Sequence, residues 1–364
     1  MALFSEGDER GGVRPGSSRT GWLMLSVTAL LTLVVSLLPA PYVIDQPGPT
    51  YDTLGEISVD GEAIELITVT DGPEYPEFAE LRVTTVTRLG NPEDLPSWAE
   101  VVGAWLSDQR AVTPVDVAYP PGFSLEDNQE AARVEMENSQ QEAVAAALTY
   151  LDVNYDSYLE VVSTLEGGPS QGVLEEGDVI EQAAGEAIRD VTRLREIIAD
   201  NGTGEPLEIQ IRRDGQSQAV QVVPRLSEGE EPIPVIGVLV SGRYDFPLDV
   251  TIELGSVGGP SAGLMFSLGL VEKLTEKTIA DRLKVAGSGT ITASGEVGPV
   301  GGIRHKVYGA GQAGAQWFLV PEQNCEDLGG LEVRGLTIVP VGSLSEAIDA
   351  LALAANGDVV PQCR

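Results

Sequence analysis

The run Ser256 to Leu274, SVGGPSAGLMFSLGLVEKL, reads as a glycine-rich turn leading into an apolar helix, and it holds a serine where a nucleophile could sit. Pro260 suits a first helical turn because it has no amide hydrogen to leave unpaired. Ser261 then falls at or near a helix N-terminus, where free backbone N–H groups and the positive end of the helix dipole can stabilise an oxyanion. Glycines at 258, 259 and 263 let a second backbone, such as a substrate strand, approach closely. Taken alone, the same residues also describe a serine that caps a helix on a tight turn.

A second segment, Val285 to Ala315 (VAGSGTITASGEVGPVGGIRHKVYGAGQAGA), gives the serine a partner. Together the two segments resemble the proteolytic domain of the Lon family. That family's nucleophile lies in a GPSAG turn, matched here by Gly259, Pro260, Ser261, Ala262 and Gly263. Its lysine follows a G-x-V-x-P-x-G-G-x-x-x-K pattern, matched by Gly295, Val297, Pro299, Gly301, Gly302 and Lys306. The resemblance continues through PEQNCEDL at 321–328 and covers the C-terminal third. It implies a serine endopeptidase with Ser261 as nucleophile, Lys306 as general base and Ser288, in AGSGT, as a hydroxyl beside the lysine. Gly258 stands where relatives fused to an ATPase commonly carry an acidic residue.

A lysine can take a serine proton only when it is neutral. Lowering its pKa from about 10.4 to about 7–8 corresponds to roughly 3–5 kcal/mol against the charged form, which burial in an apolar pocket can supply. Lys273, Lys277 and Lys284 lie among polar and charged residues and read as solvated. The single histidine, His305, offers a Ser-His alternative. Neighbouring helix positions point about 100° apart, so His305 reads as a surface residue if Lys306 faces the serine. Two cysteines and one histidine make a metal site improbable, no cofactor is expected, and no G-x-x-x-x-G-K-[ST] phosphate loop is present. The implied peptidase therefore works without its own ATP-driven unfolding.

The elements that must carry these residues read as α/β, with a β-rich insertion. Residues 158–225 run strand, turn, a GVLEEGDVIEQAAGEAI unit, helix and two strands meeting at Asp214-Gly215, a hairpin signal. The L-x-x-G-D-x-I run at Leu174 to Ile180 resembles a bacterial PDZ domain. Such domains add an extended peptide to a sheet edge, and the expected groove lies between Tyr158–Ser163 and the helix from about Val191, with Tyr158, Leu159, Val161 and Leu194 as lining residues. LRVTTV at 81–86, MENSQQEAVAAAL at 136–148 and FPLDVTIEL at 246–254 also resemble Lon proteolytic elements. The expected organisation is therefore a tail (1–20), a transmembrane anchor (21–44), the first part of a Lon-type domain (45–153), an inserted PDZ domain (154–228), the catalytic part (229–356) and a C-terminal tail (357–364).

Gly21 to Val43 is uncharged and about long enough to cross a bilayer as a helix, with Trp22 and Tyr42 at its two interfaces. Arg10, Arg14 and Arg19 precede it and the next basic residue is Arg82, so the positive-inside rule places the N-terminus in the cytoplasm and the catalytic body outside. In that compartment Cys325 and Cys363 are compatible with one disulfide. A net charge of -34 argues against nucleic-acid partners. The expected partners are polypeptide substrates and the membrane, and the resemblance adds six-membered rings. The competing function is a catalytically silent scaffold that binds through its PDZ groove.

Overall fold

A computed structural model describes residues 18–59, 61–70, 72, 75, 79–119, 125–188, 190–227, 232–254 and 258–363. Ser256 and Val257, at the head of the serine turn, fall outside these, as do Arg10 and Arg14. The chain divides into two compact units, residues 1–44 with 88–121, and 45–87 with 122–364.

In the first unit, helix α1 (Ser18–Ser36) presents exposed apolar side chains, with Trp22, Leu23 and Leu30 each more than half exposed. The expected span of 21–44 is shortened: Pro39 and Pro41 cannot continue a helix, and Tyr42 already begins a strand. Among the described residues no helix is long and apolar enough to cross a membrane. Helix α2 (Trp98–Trp105) starts at a capping box, in which Ser97 accepts from the Glu100 amide and Glu100 accepts from the Ser97 amide. Its Val101 and Ala104 pack with Ala40 and Ile44, and Tyr42, Trp98 and Trp105 meet edge to face or tilted.

The second unit holds the greater part of β1 (Tyr42–Asp52) and β2 (Glu80–Leu89) and the long helix α3 (Leu125–Tyr150). An inserted sheet follows, with strands β3 (Asp156–Thr164), β4 (Val179–Ala183), β5 (Leu207–Arg213), β6 (Gln216–Val222) and β7 (Val238–Asp245), and helix α4 (Val191–Asn201) between β4 and β5. The chain then returns as α5 (Gly263–Leu274), β8 (Lys284–Gly287), α6 (Ile303–Gln312), β9 (Trp317–Pro321), β10 (Thr337–Val341) and α7 (Leu344–Asn356).

The two flanks of the insertion build one sheet, in the order β10-β9-β8-β2-β1. Val285 of β8 pairs with Leu81 of β2 on one side and Trp317 of β9 on the other, all parallel. Parallel strands bury both faces: α3, α5 and α7 cover one, where Ala143, Ala147, Phe266, Leu270 and Leu351 lie in the core with Leu81 and Val285, and α6 covers the other, where Ile303, Val307 and Ala310 pack with Ala286 and Phe318. Alanines on α3 bring it close to α5, and Ser267 of α5 donates to the Ala143 carbonyl across that contact.

The inserted sheet runs β6-β5-β4-β3-β7 over its own core of Leu159, Ile180, Leu194, Ile209 and Val240. Asp214 and Gly215 take positive φ between paired Arg213 and Gln216, as a type I′ hairpin requires. The expected boundary at 228/229 lies outside the described residues and comes too early. Ile236 is buried in the inserted core, and β7 pairs with β3 from Val238↔Thr164 to Asp245↔Asp156. The insertion therefore begins and ends on adjacent strand positions, Asp156 and Asp245.

Candidate active site

Ser261 sits in a single 3-10 turn, Pro260–Ala262, that runs directly into α5. It is thus one turn ahead of the α-helix rather than on its first residue. Gly259 enters the turn at φ 92°, a conformation that disfavours any residue with a Cβ. Lys306 lies in the first turn of α6, and Gly302 ahead of that helix is at φ 67° with no room for a Cβ, which would come 2.9 Å from Val86 Cγ2. Ser288 follows β8, whose last carbonyl, that of Gly287, accepts from Thr84 Oγ1 at 3.0 Å.

These three turns bring their side chains together. Lys306 Nζ lies 2.6 Å from Ser261 Oγ and 2.8 Å from Ser288 Oγ. Ser288 donates its one hydroxyl hydrogen to the Ser261 carbonyl at 2.8 Å, and the Gly289 amide donates to the same carbonyl at 3.0 Å. Ser288 can therefore only accept from Lys306. In a neutral lysine this orientation leaves the nitrogen lone pair for the Ser261 hydroxyl. Lys306 is 3% exposed, and burial brings its pKa down from 10.5 to about 8. Gly259, Pro260 and Ala262 serve as the frame of the turn, and Ala262 is buried.

His305 does not lie at the surface as expected. It is half-buried, and its Nδ1 is enclosed without a hydrogen-bond partner, so that nitrogen does not engage Ser261. Burial holds its pKa below the usual histidine value, opposed by the Asp45 carboxylate. Among the described residues no His, Cys, Asp and Glu cluster could hold a metal ion.

The residues expected to line a peptide groove do not form an open one. Leu159, Val161 and Leu194 are core residues, and Tyr158 is partly exposed on a strand flanked on both sides, with Leu159 opposite Ile180 on β4 and Gly242 on β7. Among the described strands the sheet ends at β6 on one side and at β7 on the other, and β7 packs beside α4 and follows Ile236-Gly237. Tyr158 is flanked because the strand that completes the sheet on that side arrives some 75 positions after β3, which the local pattern around Tyr158 could not reveal. Cys325 and Cys363 are bonded, with their Cα atoms 5.4 Å apart.

Residues 249–354, which hold Ser261, Ser288 and Lys306, match the Lon protease (S16) C-terminal proteolytic domain. This segment is therefore similar to the proteolytic domain of Lon proteases. Lon protease from Helicobacter pylori (strain J99) is 32% identical over 149 residues, 40% of this chain and 18% of the relative. Lon protease from Geobacter metallireducens is 37% identical over 111 residues, 30% of this chain and 13% of the relative. The chain thus spans under a fifth of the length of the curated Lon proteases it matches. Among solved structures, the PDZ domain of an SdrC-like protein from Listeria innocua is similar at 20% identity with a TM-score of 0.21, covering 23% of this chain and 92% of that domain. The equivalent domain from Listeria monocytogenes is similar at 22% identity and a TM-score of 0.22, covering 24% of this chain and 90% of that domain.

Proposed function

We propose that this chain is an ATP-independent serine endopeptidase in which Ser261 is the nucleophile and Lys306 its general base. The observation that carries this reading is the buried lysine nitrogen 2.6 Å from the serine oxygen. Neutral Lys306 accepts the Ser261 proton as Oγ attacks the peptide carbonyl, and the resulting ammonium returns a proton to the leaving amine. The amides of the turn face the negative charge that develops on the carbonyl oxygen. Water then repeats the sequence on the acyl-enzyme, releasing the acid and restoring Ser261.

The PDZ-like insertion positions extended polypeptide by strand addition at β7, the open edge beside α4. The apolar surface of α1, with Arg10 and Arg14 ahead of the helix and Arg19 in its first turn, attaches the chain to a membrane, and the Cys325–Cys363 bond suits a catalytic body outside the cytoplasm. By family resemblance the proteolytic domains assemble as six-membered rings. The test is hydrolysis of an unstructured polypeptide such as casein without nucleotide. Wild-type protein should cleave it and Ser261→Ala should not, whereas equal cleavage by both would refute the proposal.

A further inference from the structure

Ser139 lies on α3, far from the serine turn in sequence, and is 2% exposed. A serine inside a helix usually bonds its own helix's carbonyl one turn back. Ser139 instead donates to the Pro260 carbonyl, 121 positions away, at 3.0 Å. Its hydroxyl also abuts the start of α5, since a Cβ on Gly263 would sit 3.0 Å from Ser139 Oγ and 2.8 Å from Ile291 Cγ2. One helical segment earlier, the Ala132 carbonyl accepts from the Gly259 amide at 3.3 Å. Helix α3 therefore grips the turn on both sides of Pro260.

The Pro260 carbonyl and the Ser261 amide belong to one planar trans peptide unit and point in opposite directions. A bond that holds the carbonyl therefore aims the amide hydrogen. The next unit is held in the same way, because Ser288 Oγ and the Gly289 amide fix the Ser261 carbonyl and so aim the Ala262 amide. Amides at the start of a helical segment have no helical carbonyl to meet. The Gly263 amide also reaches the Pro260 carbonyl, but from within the turn itself, so it cannot set the turn's direction against the body of the domain.

We infer that Ser139 is a positioning residue for the reaction, orienting the Ser261 amide toward the oxyanion through its hydrogen bond to the Pro260 carbonyl. The inference rests on the Ser-Lys peptidase reading and adds a residue of α3 that holds the Pro260 carbonyl rather than the Ser261 hydroxyl. It differs from a packing role in what it changes: the transition state loses a well-aimed donor, while substrate binding and the titration of Lys306 are untouched.

The experiment measures kcat, KM, the pH profile and inhibition by a peptide boronate, which forms a tetrahedral adduct with the serine. Complete loss of an oxyanion donor costs about a hundred- to a thousandfold in kcat, and a donor that is present but poorly aimed should cost on the order of tenfold or more. Ser139→Ala should lower kcat by that much and weaken the boronate in parallel, with KM within about twofold and the pH midpoint unmoved. Ser139→Thr, which keeps the hydroxyl, should recover most of the loss. If Ser139→Ala fails to fold, Ser139→Cys replaces it, since a thiol is nearly the same size and a weak donor. Unchanged kcat, an unchanged boronate constant, a shifted pH midpoint, or no recovery in Ser139→Thr would each overturn the inference. Ser261→Ala assayed alongside separates the two claims: turnover by that variant overturns the peptidase reading itself.

Discussion

At the scale of residues, the decisive quantity is the charge on Lys306. Its pKa of about 8 lies below its ordinary 10.5, so folding is disfavoured while the side chain would otherwise be charged. That gap corresponds to roughly 3 kcal/mol. The penalty is present in full below pH 8 and disappears as pH rises from about 8 to 10.5. Lys306→Met should therefore be the more stable protein at pH 7 by denaturant titration, with the difference from wild type shrinking above pH 8. A constant difference at every pH would mean that the native lysine is not neutralised by burial. Activity follows the neutral form, so kcat/KM should climb through pH 8 and level off. Lys306→Arg should be inactive, because a guanidinium stays protonated. The Ser261–Lys306 contact was legible because the family pattern covers both of its turns. The environment of His305 was not: a helical angle excludes it from the lysine's direction but says nothing of what encloses it.

At the scale of elements, α3 has two faces with different tasks. One holds the serine turn. The other meets the insertion, where Asn138 Oδ1 lies 3.3 Å from Ser241 Oγ of β7. Nearby, burial raises the Glu142 carboxyl from 4.5 to about 7, helped by Asp190 at the start of α4 and opposed by Arg195. The same surroundings push the Tyr244 phenol upward, mainly through burial, and leave its hydroxyl without a partner. A carboxyl with a raised folded-state pKa favours the fold at low pH and loses that contribution as pH rises from 4.5 toward 7. Glu142→Gln should flatten that part of the stability profile and exceed wild type at pH 7.5, as read by thermal unfolding. Parallel profiles would remove Glu142 from the account. An element within α3 could be read from MENSQQEAVAAAL at 136–148. Its contact with β7 could not, because β7 follows an acidic, proline-containing stretch that looks like a linker, and its partner strand β3 is remote in sequence.

At the scale of the whole molecule, the sheet that carries the site is completed only when the chain returns from the insertion. Since Asp156 and Asp245 are paired neighbours, replacing the intervening strands by a short turn should leave the β10-β9-β8-β2-β1 sheet folded. Hydrolysis of short peptides by that variant should persist, whereas aggregation or complete loss of the folded signal would show that the insertion is structurally required. The Cys325–Cys363 bond closes a segment with a sequence separation of 38 and ties the end of the chain beside the core of α6 and β9. Its removal in the double Cys→Ser variant should cost up to about 4 kcal/mol in the chain-entropy account, measured as a lowered denaturation midpoint. No change in midpoint would mean that the tail contributes nothing to the fold. The cysteine pair was visible as an even count, while the end of the apolar helix was misjudged because prolines at 39 and 41 outweigh the continuing hydrophobic run.

The most direct test of the Ser261–Lys306 account is mass-spectrometric mapping of a fluorophosphonate probe on the wild type and on Lys306→Ala. The account predicts one modified residue, Ser261, in the wild type, with labelling that rises with pH through about 8 and is lost in Lys306→Ala. Labelling of a different serine, or undiminished labelling of Ser261 without the lysine, would contradict it.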